Sequence, residues 1–176
     1  MKLTDIAKNI KLVCLDVDGV LTNGSIVISG EGELFKEFYV RDGLGIKFLQ
    51  DAGIQVAICT GRTSTIVTER AKELGITLLM QGQKDKRDGL ADICARAGVK
   101  LSETAYMGDD IPDLCLFPLV ALSAAPSDAV PMILREADWI SAQPGGRGAV
   151  RELAEFILEA QDKMEYVVRK RFNTEI

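Results

Sequence analysis

Lys11-Leu12-Val13-Cys14-Leu15-Asp16-Val17-Asp18-Gly19-Val20-Leu21-Thr22 is an apolar run that ends on two carboxylates and a glycine. Lys11–Val17 reads as a buried strand, and the glycine marks a tight turn where that strand leaves the core. Side chains two residues apart on an extended segment project the same way, so Asp16 and Asp18 point toward one spot. A hard divalent cation such as Mg²⁺ takes oxygen ligands and fits between them. An aspartate paired with such a cation can attack phosphorus while its neighbour moves a proton. The stretch is a phosphotransfer signature.

Outward from it, short apolar strands alternate with helical stretches. Lys11–Val17, Gln55–Thr60, Thr77–Gln81, Thr104–Met107, Leu119–Leu122 and Trp139–Ile140 read as strands. Gly43–Ala52, Ser64–Leu74, Lys86–Ala97, Ile111–Leu116, Asp128–Arg135 and Ala149–Ala160 carry apolar residues at helical spacing. Near-continuous hydrophobic strands separated by helices predict an α/β fold, a doubly wound, Rossmann-like parallel sheet with helices on both faces. Ligands bind such sheets at the carboxyl ends of the strands. One segment breaks the alternation: Ser25–Ser29 and Leu34–Val40 flank Gly30-Glu31-Gly32-Glu33 as a projecting β-hairpin, a flap over about 24–40. A lone hairpin is marginal in water, so its apolar residues call for packing against other subunits. The charged tail, about 161–176, is expected to fray or to dock on a neighbour.

The 176 residues, with 47% apolar and 27% charged content, predict one globular domain over 1–176. A net charge of −5 argues against a nucleic-acid partner but leaves room for an anionic small molecule held by local cations. Cys14, Cys59, Cys94 and Cys115 form no metal-ligand spacing and read as free thiols of a reducing cytoplasm. No signal peptide and no apolar run long enough to span a bilayer is expected, hence no membrane partner. The chain contains no histidine. That removes Ser-His-Asp and Cys-His nucleophilic sites and His-ligated zinc, leaving acid–base work to carboxylates, Lys, Tyr or Cys.

Three further features belong beside Asp16 in such a sheet. Thr60 ends a strand and precedes Gly61-Arg62, where a hydroxyl and backbone N–H groups can hold a phosphoryl oxygen. Lys84 and Lys86 lie at a helix entry, where a cation opposes the macrodipole and invites a role in neutralising a nucleophile and a phosphate. Spacing leaves both open. Gly108-Asp109-Asp110-Ile111-Pro112-Asp113 follows another strand and can complete a metal's oxygen shell from the side opposite Asp16. Asp110 and Asp113 also suit a helix's first turn, and for Asp113 that is the favoured reading.

The order Asp-x-Asp, Thr, Lys, Asp-Asp, each at a strand end, resembles the haloacid dehalogenase-like phosphatase superfamily, at Asp16/Asp18, Thr60, Lys86 and Asp109/Asp110. The resemblance selects Lys86 over Lys84. Phe38-Tyr39-Val40-Arg41-Asp42-Gly43, Gln81-Gly82-Gln83 and Gly145-Gly146-Arg147-Gly148-Ala149-Val150-Arg151-Glu152 look like the capless family acting on 3-deoxy-D-manno-octulosonate 8-phosphate. That resemblance implies a cytoplasmic homotetramer whose hairpins assemble into a barrel, serving lipopolysaccharide inner-core synthesis. It implies Asp16 as nucleophile, Asp18 as acid–base, and Thr60 and Lys86 as catalytic partners. Mg²⁺ would be held at Asp16, Asp18, Asp109 and Asp110. A phosphosugar would meet Asp18, Arg41, Asp42, Gly43, Lys47, Gly61, Arg62, Arg70, Lys86 and Arg147. Asn23 and Lys47 depart from the usual Asp and Arg, and a lysine cannot make the bidentate fork. The rivals are a same-fold phosphatase for another phosphosugar, a phospho-accepting receiver domain and an idle oligomerisation module. A receiver lacks the acid–base partner two residues beyond its nucleophile.

Overall fold

A computed structural model describes residues 2–174. In chain order the elements are α1 (Leu3–Ala7), β1 (Leu12–Leu15), β2 (Val27–Ser29), β3 (Gly32–Phe35), α2 (Val40–Asp51), β4 (Gln55–Cys59), α3 (Thr65–Leu74), β5 (Leu78–Met80), α4 (Lys86–Ala97), β6 (Thr104–Met107), β7 (Leu122–Ala125), α5 (Pro131–Glu136), β8 (Trp139–Ile140), α6 (Ala149–Ala160) and α7 (Met164–Phe172). Six strands form one sheet in the order β5-β4-β1-β6-β7-β8, and every pairing in it is parallel. The expected doubly wound sheet is present.

Strand periodicity explains how one sheet feeds two cores. Val13 and Leu15 of β1, Val56 and Ile58 of β4, and Ala105 and Met107 of β6 join one apolar cluster with side chains of α2, α3 and α6. The alternate residues Leu12, Cys14, Ala57, Cys59 and Tyr106 join the opposite cluster, with Leu90 and Ile93 of α4 and Ile133 of α5. A strand covered on both faces has no polar side to spare, and all four residues of β1 are buried. Cys14, Cys59 and Cys94 are buried and all four cysteines are free.

The register positions the site. Leu15 pairs with Ile58 on one side and with Met107 on the other. Asp16, Thr60 and Gly108-Asp109 therefore emerge together, at the point where the chain's winding direction reverses. Such switch points open a crevice at the strands' carboxyl ends.

Several boundaries differ from the sequence-based expectation. The strand expected at Leu119–Leu122 lies at Leu122–Ala125, because Pro118 sits in a 3₁₀ turn over Phe117–Leu119. Expected helix Ile111–Leu116 is a 3₁₀ turn over Ile111–Asp113, with the Asp113 carboxylate bent back onto the Asp109 and Asp110 N–H groups. Helix α5 starts at Pro131, the residue before it being extended as proline demands. The hairpin is shorter, β2 against β3, and the chain from Lys36 to Tyr39 runs on into α2. The tail does not fray over the described residues: α7 forms and packs on its own chain. Val167 is fully buried, the Phe172 ring meets Phe48 edge-on at 6.2 Å, and Arg171 Nε reaches Asp51 Oδ2 at 2.6 Å. Residues 175 and 176 of the expected tail lie outside the described residues. No helix among those described is long and apolar enough to cross a membrane.

Candidate active site

Asp16 is the first residue past β1, and its backbone N–H still donates to Met107 O (3.1 Å), so the sheet ladder fixes where the carboxylate starts. Past Asp18 the chain turns at Gly19 with φ +90°, a conformation that side chains resist. A Cβ there would lie 2.0 Å from Asp109 Oδ2, so glycine also makes room for the opposing acid. Gly145 clasps the same turn from outside. A Cβ on it would come within 1.8 Å of the Gly19 carbonyl oxygen, and the next N–H, on Gly146, donates to Val20 O (2.9 Å). Part of the glycine-rich loop therefore fastens the Asp-x-Asp turn.

Lys86 heads α4 and is buried. Its Nζ lies 2.8 Å from Asp16 Oδ2 and 2.6 Å from Asp113 Oδ1. These contacts explain a lysine at the unfavourable end of a helix dipole. Burial works against the Lys86 charge, but the Asp16 and Asp113 carboxylates overcome it and hold the ammonium protonated. Asp113 is fully buried and fully partnered. Oδ1 accepts from Lys86 and from the Tyr106 hydroxyl (2.6 Å), and Oδ2 from the N–H groups of Asp109 (3.0 Å) and Asp110 (3.2 Å). The sequence signal was a first-turn acid, and the structure makes it the post that holds both Lys86 and the Asp109 backbone.

Carboxylate oxygens of Asp16, Asp109 and Asp113 lie within 4.8 Å of one another. Burial, then the Asp113 charge, pushes Asp16 up to about 6 despite Lys86. Burial, then Asp113 and Asp16, pushes Asp109 up to about 7. Three acids against one ammonium leave two negative charges uncompensated. The buried Oδ1 atoms of Asp16 and Asp109 have no hydrogen-bond partner. Oxygen donors, two orphaned carboxylate atoms and a deficit of two charges fit a hard divalent cation. Asp113, already saturated by four donors, is not free to join them.

A cleft of about 320 Å³ opens over this cluster, lined by Asp18, Thr60, Gly61, Arg62, Lys86, Asp110 and others. Asp110 reaches the cleft wall, but its Oδ1 accepts from its own neighbour's N–H, Ile111 (2.8 Å). It is not among the clustered acids. Asp18 faces Arg62 Nε at 3.7 Å and, at 2.5 Å, the ammonium of Lys36. Lys36 is the first residue past β3, at the foot of the hairpin, and carries no motif by which the sequence could single it out.

The remaining expected contacts lie elsewhere in the single chain. Arg41 and Arg147 line a separate groove of about 290 Å³ with Tyr39 and Arg151, and Arg147 pairs with Glu37 at 3.2 Å. Asp42 is buried and accepts from the N–H groups of Gly148 (3.2 Å) and Arg151 (2.8 Å), capping α6 from outside. Gly43 leaves space for Arg70, whose Nη2 would stand 2.6 Å from a Cβ there. Arg70 lies over the Phe38 ring and pairs with Glu73. Lys47 donates to Leu74 O (2.7 Å) at the C-terminus of α3, where a cation is favourable. Asn23 accepts from Ser25 N–H (3.0 Å) and shapes the loop leading to the hairpin.

Residues 30–114 match the family model of the haloacid dehalogenase-like hydrolases, and residues 76–153 match a second model of the same description. With the switch-point carboxylates and a hairpin as the sole insert after β1, fold and site define a hydrolase of that class. Two curated relatives narrow it. The 3-deoxy-D-manno-octulosonate 8-phosphate phosphatase of Haemophilus influenzae is 46% identical over 89% of this chain and 87% of its own. That of Yersinia pestis is 45% identical over 90% and 85%. The Moraxella catarrhalis enzyme of the same name was solved in complex with a magnesium ion, a phosphate ion and a KDO molecule. It superposes with a TM-score of 0.91 at 42% identity, covering 96% of this chain and 97% of that one. The chain belongs to this phosphatase family.

Proposed function

We propose that the chain hydrolyses 3-deoxy-D-manno-octulosonate 8-phosphate to the free sugar acid and inorganic phosphate, with Mg²⁺ as cofactor. The observation that carries the reading is the orphaned oxygen on each of Asp16 and Asp109, beside Lys86 and below Asp18, in one strand-end cleft. The relatives supply the substrate. Asp16, the Asp18 backbone carbonyl and Asp109 would hold Mg²⁺, which when bound neutralises phosphoryl oxygens and orients them.

In the first half-reaction an Asp16 carboxylate oxygen forms a bond to phosphorus as the bond to the sugar oxygen breaks. Asp18, protonated, passes its proton to that leaving oxygen. In the second, Asp18 takes a proton from water while the water oxygen bonds to phosphorus and the Asp16–phosphorus bond breaks. Asp18 ends protonated, as it began. Lys86 offsets the charge of nucleophile and phosphate throughout. Thr60 and the N–H groups after it would bind equatorial oxygens.

Assembly into a homotetramer through the hairpins accords with their exposed apolar residues: Ile28 is 69% exposed, Leu34 58% and Phe35 50%. Arg41, Arg70 and Arg147 would then serve a site completed by a second copy. A cytoplasmic place in lipopolysaccharide inner-core synthesis follows the relatives' substrate.

The test is phosphate release from 3-deoxy-D-manno-octulosonate 8-phosphate beside a panel of other phosphosugars, with Mg²⁺ and with chelator, and Asp16→Asn as blank. A metal-dependent preference for the octulosonate is expected. Preference for another sugar would keep the chemistry and remove the substrate. A stable phospho-aspartate with no turnover would make the chain a receiver.

A further inference from the structure

Asp18 stands in a loop, past the strand and one residue before Gly19, so the sheet does not orient its side chain. Among the described residues its carboxylate contacts two groups, Lys36 Nζ at Oδ1 (2.5 Å) and Arg62 Nε at Oδ2 (3.7 Å). The contacts differ in kind. Arg62 is half exposed on the cleft wall, whereas the Lys36 side chain is 2% exposed. A lysine withdrawn from water keeps its charge by ion pairing, and Lys36 has two partners, Asp18 and Glu33 Oε1 (3.0 Å). Glu33 is itself anchored: its Oε2 accepts from the hydroxyl of Ser64, and Ser64 is the N-cap of α3, its Oγ accepting from Val67 N–H (3.4 Å). A series of contacts thus runs from the N-cap of α3 to the carboxylate that must meet the leaving oxygen: hydrogen bonds at Ser64, then ion pairs from Glu33 to Lys36 and from Lys36 to Asp18.

We propose that Lys36 positions the acid–base carboxylate of Asp18, with Glu33 and Ser64 as its anchor, so that the base of the hairpin is part of the reaction machinery. Lys36 pins Oδ1 and leaves Oδ2, on the cleft side with Arg62, to carry the proton. Asp18 gives that proton to the sugar oxygen as the bond from that oxygen to phosphorus breaks and the bond from Asp16 forms. Lys36 does not touch the substrate and itself transfers no proton. The inference rests on the reading of Asp18 as the acid–base group.

The experiment compares kcat/KM, which reads steps up to transfer of the phosphoryl group to Asp16, for two leaving groups. An alkyl sugar phosphate needs a proton on its departing oxygen, and p-nitrophenyl phosphate does not. Asp18→Asn should lower the sugar phosphate value by about 10²-fold or more and spare the aryl phosphate. Lys36→Met, which keeps the buried stem, should reproduce that selectivity, and Lys36→Ala likewise where it folds. Lys36→Arg should restore part of the loss, and Glu33→Gln should show a smaller loss of the same selectivity. If Asp18→Asn is selective and Lys36→Met lowers both substrates equally, or neither, the positioning role is overturned. If Asp18→Asn itself lacks selectivity, the acid–base assignment fails and this inference with it.

Discussion

The Lys86 ammonium rests against Asp113 Oδ1 at 2.6 Å, closer than its 2.8 Å approach to Asp16 Oδ2. Asp113 is thus the fixed end of the pair and Asp16 the end free to change partners when phosphorus arrives. Asp113→Ala would take one of the two carboxylates from buried Lys86, leaving it Asp16 alone, and would leave the Tyr106 hydroxyl and two backbone N–H groups without their acceptor. Removing one partner of a buried pair costs about 3–5 kcal/mol, so urea denaturation should show a loss of that size. Phosphate release should fall about a hundredfold as Lys86 loses its aim. A variant of native stability and activity would mean that Asp16 alone holds Lys86.

Asp16, Thr60, Lys86 and Asp109 are legible in the sequence for one physical reason. Parallel strands in register bring their end residues to one edge, so a motif at a strand's end is also a position in space. Asp113 and Lys36 reach the same place by other means. Asp113 folds back through a proline-containing 3₁₀ turn, and Lys36 is laid across the loop by the hairpin. Neither route leaves a periodic trace. The long cations Arg41, Lys47, Arg70 and Arg147 are settled by aromatic faces, helix ends and acids, contacts that no spacing rule encodes. The tail's polar exterior hid α7, whose docking depends on the single deep anchor Val167 and a few side chains at its end.

Without a cation the acid cluster should make stability depend on pH in a particular direction. Asp109 is raised from 3.8 to about 7 in the folded chain, and Asp16 to about 6. Between roughly pH 4 and these values the folded state binds more protons than the unfolded one, so this contribution to stability falls as pH rises. Above about 7 the penalty is complete. In chelator, the melting temperature of wild type relative to Asp109→Asn should therefore decline from pH 4 to pH 7, and saturating Mg²⁺ should abolish the decline. A difference that stays level or climbs would show that burial and the neighbouring acids do not raise Asp109 in the folded chain.

Asp42 illustrates how a residue near the substrate motif in sequence can act on the scaffold within one chain. Its carboxylate accepts the N–H groups of Gly148 and Arg151, so it caps α6 from the first turn of α2. Burial raises its pKa, yet these backbone donors favour the ionised form. Asp42→Ala should cost about 1–2 kcal/mol, the usual range for a lost cap, read as a lower melting temperature. Its kcat should remain within a few-fold of wild type. A hundredfold fall in kcat with unchanged melting would return Asp42 to the substrate.

Gly145 gives the sharpest geometric prediction. A single methyl group there would sit 1.8 Å from the Gly19 carbonyl oxygen and 2.6 Å from its carbon. Both are backbone atoms of the Asp-x-Asp turn, which cannot swing away as a side chain would. Gly19 is already held at positive φ, and Asp109 Oδ2 occupies the space beside its Cα. The clash must therefore be relieved by moving the turn or by lifting the glycine loop that closes over it. Either shift displaces Asp18 from its partners, and a displacement near 1 Å costs about 10²-fold in rate. Gly145→Ala should lose activity by at least that factor while the far sheet edge, β8, keeps its hydrogen-exchange protection. Gly30→Ala, with nothing within 4 Å of the added carbon, is the matched control and should behave as wild type. Full activity in Gly145→Ala would mean that the loop does not fasten the turn.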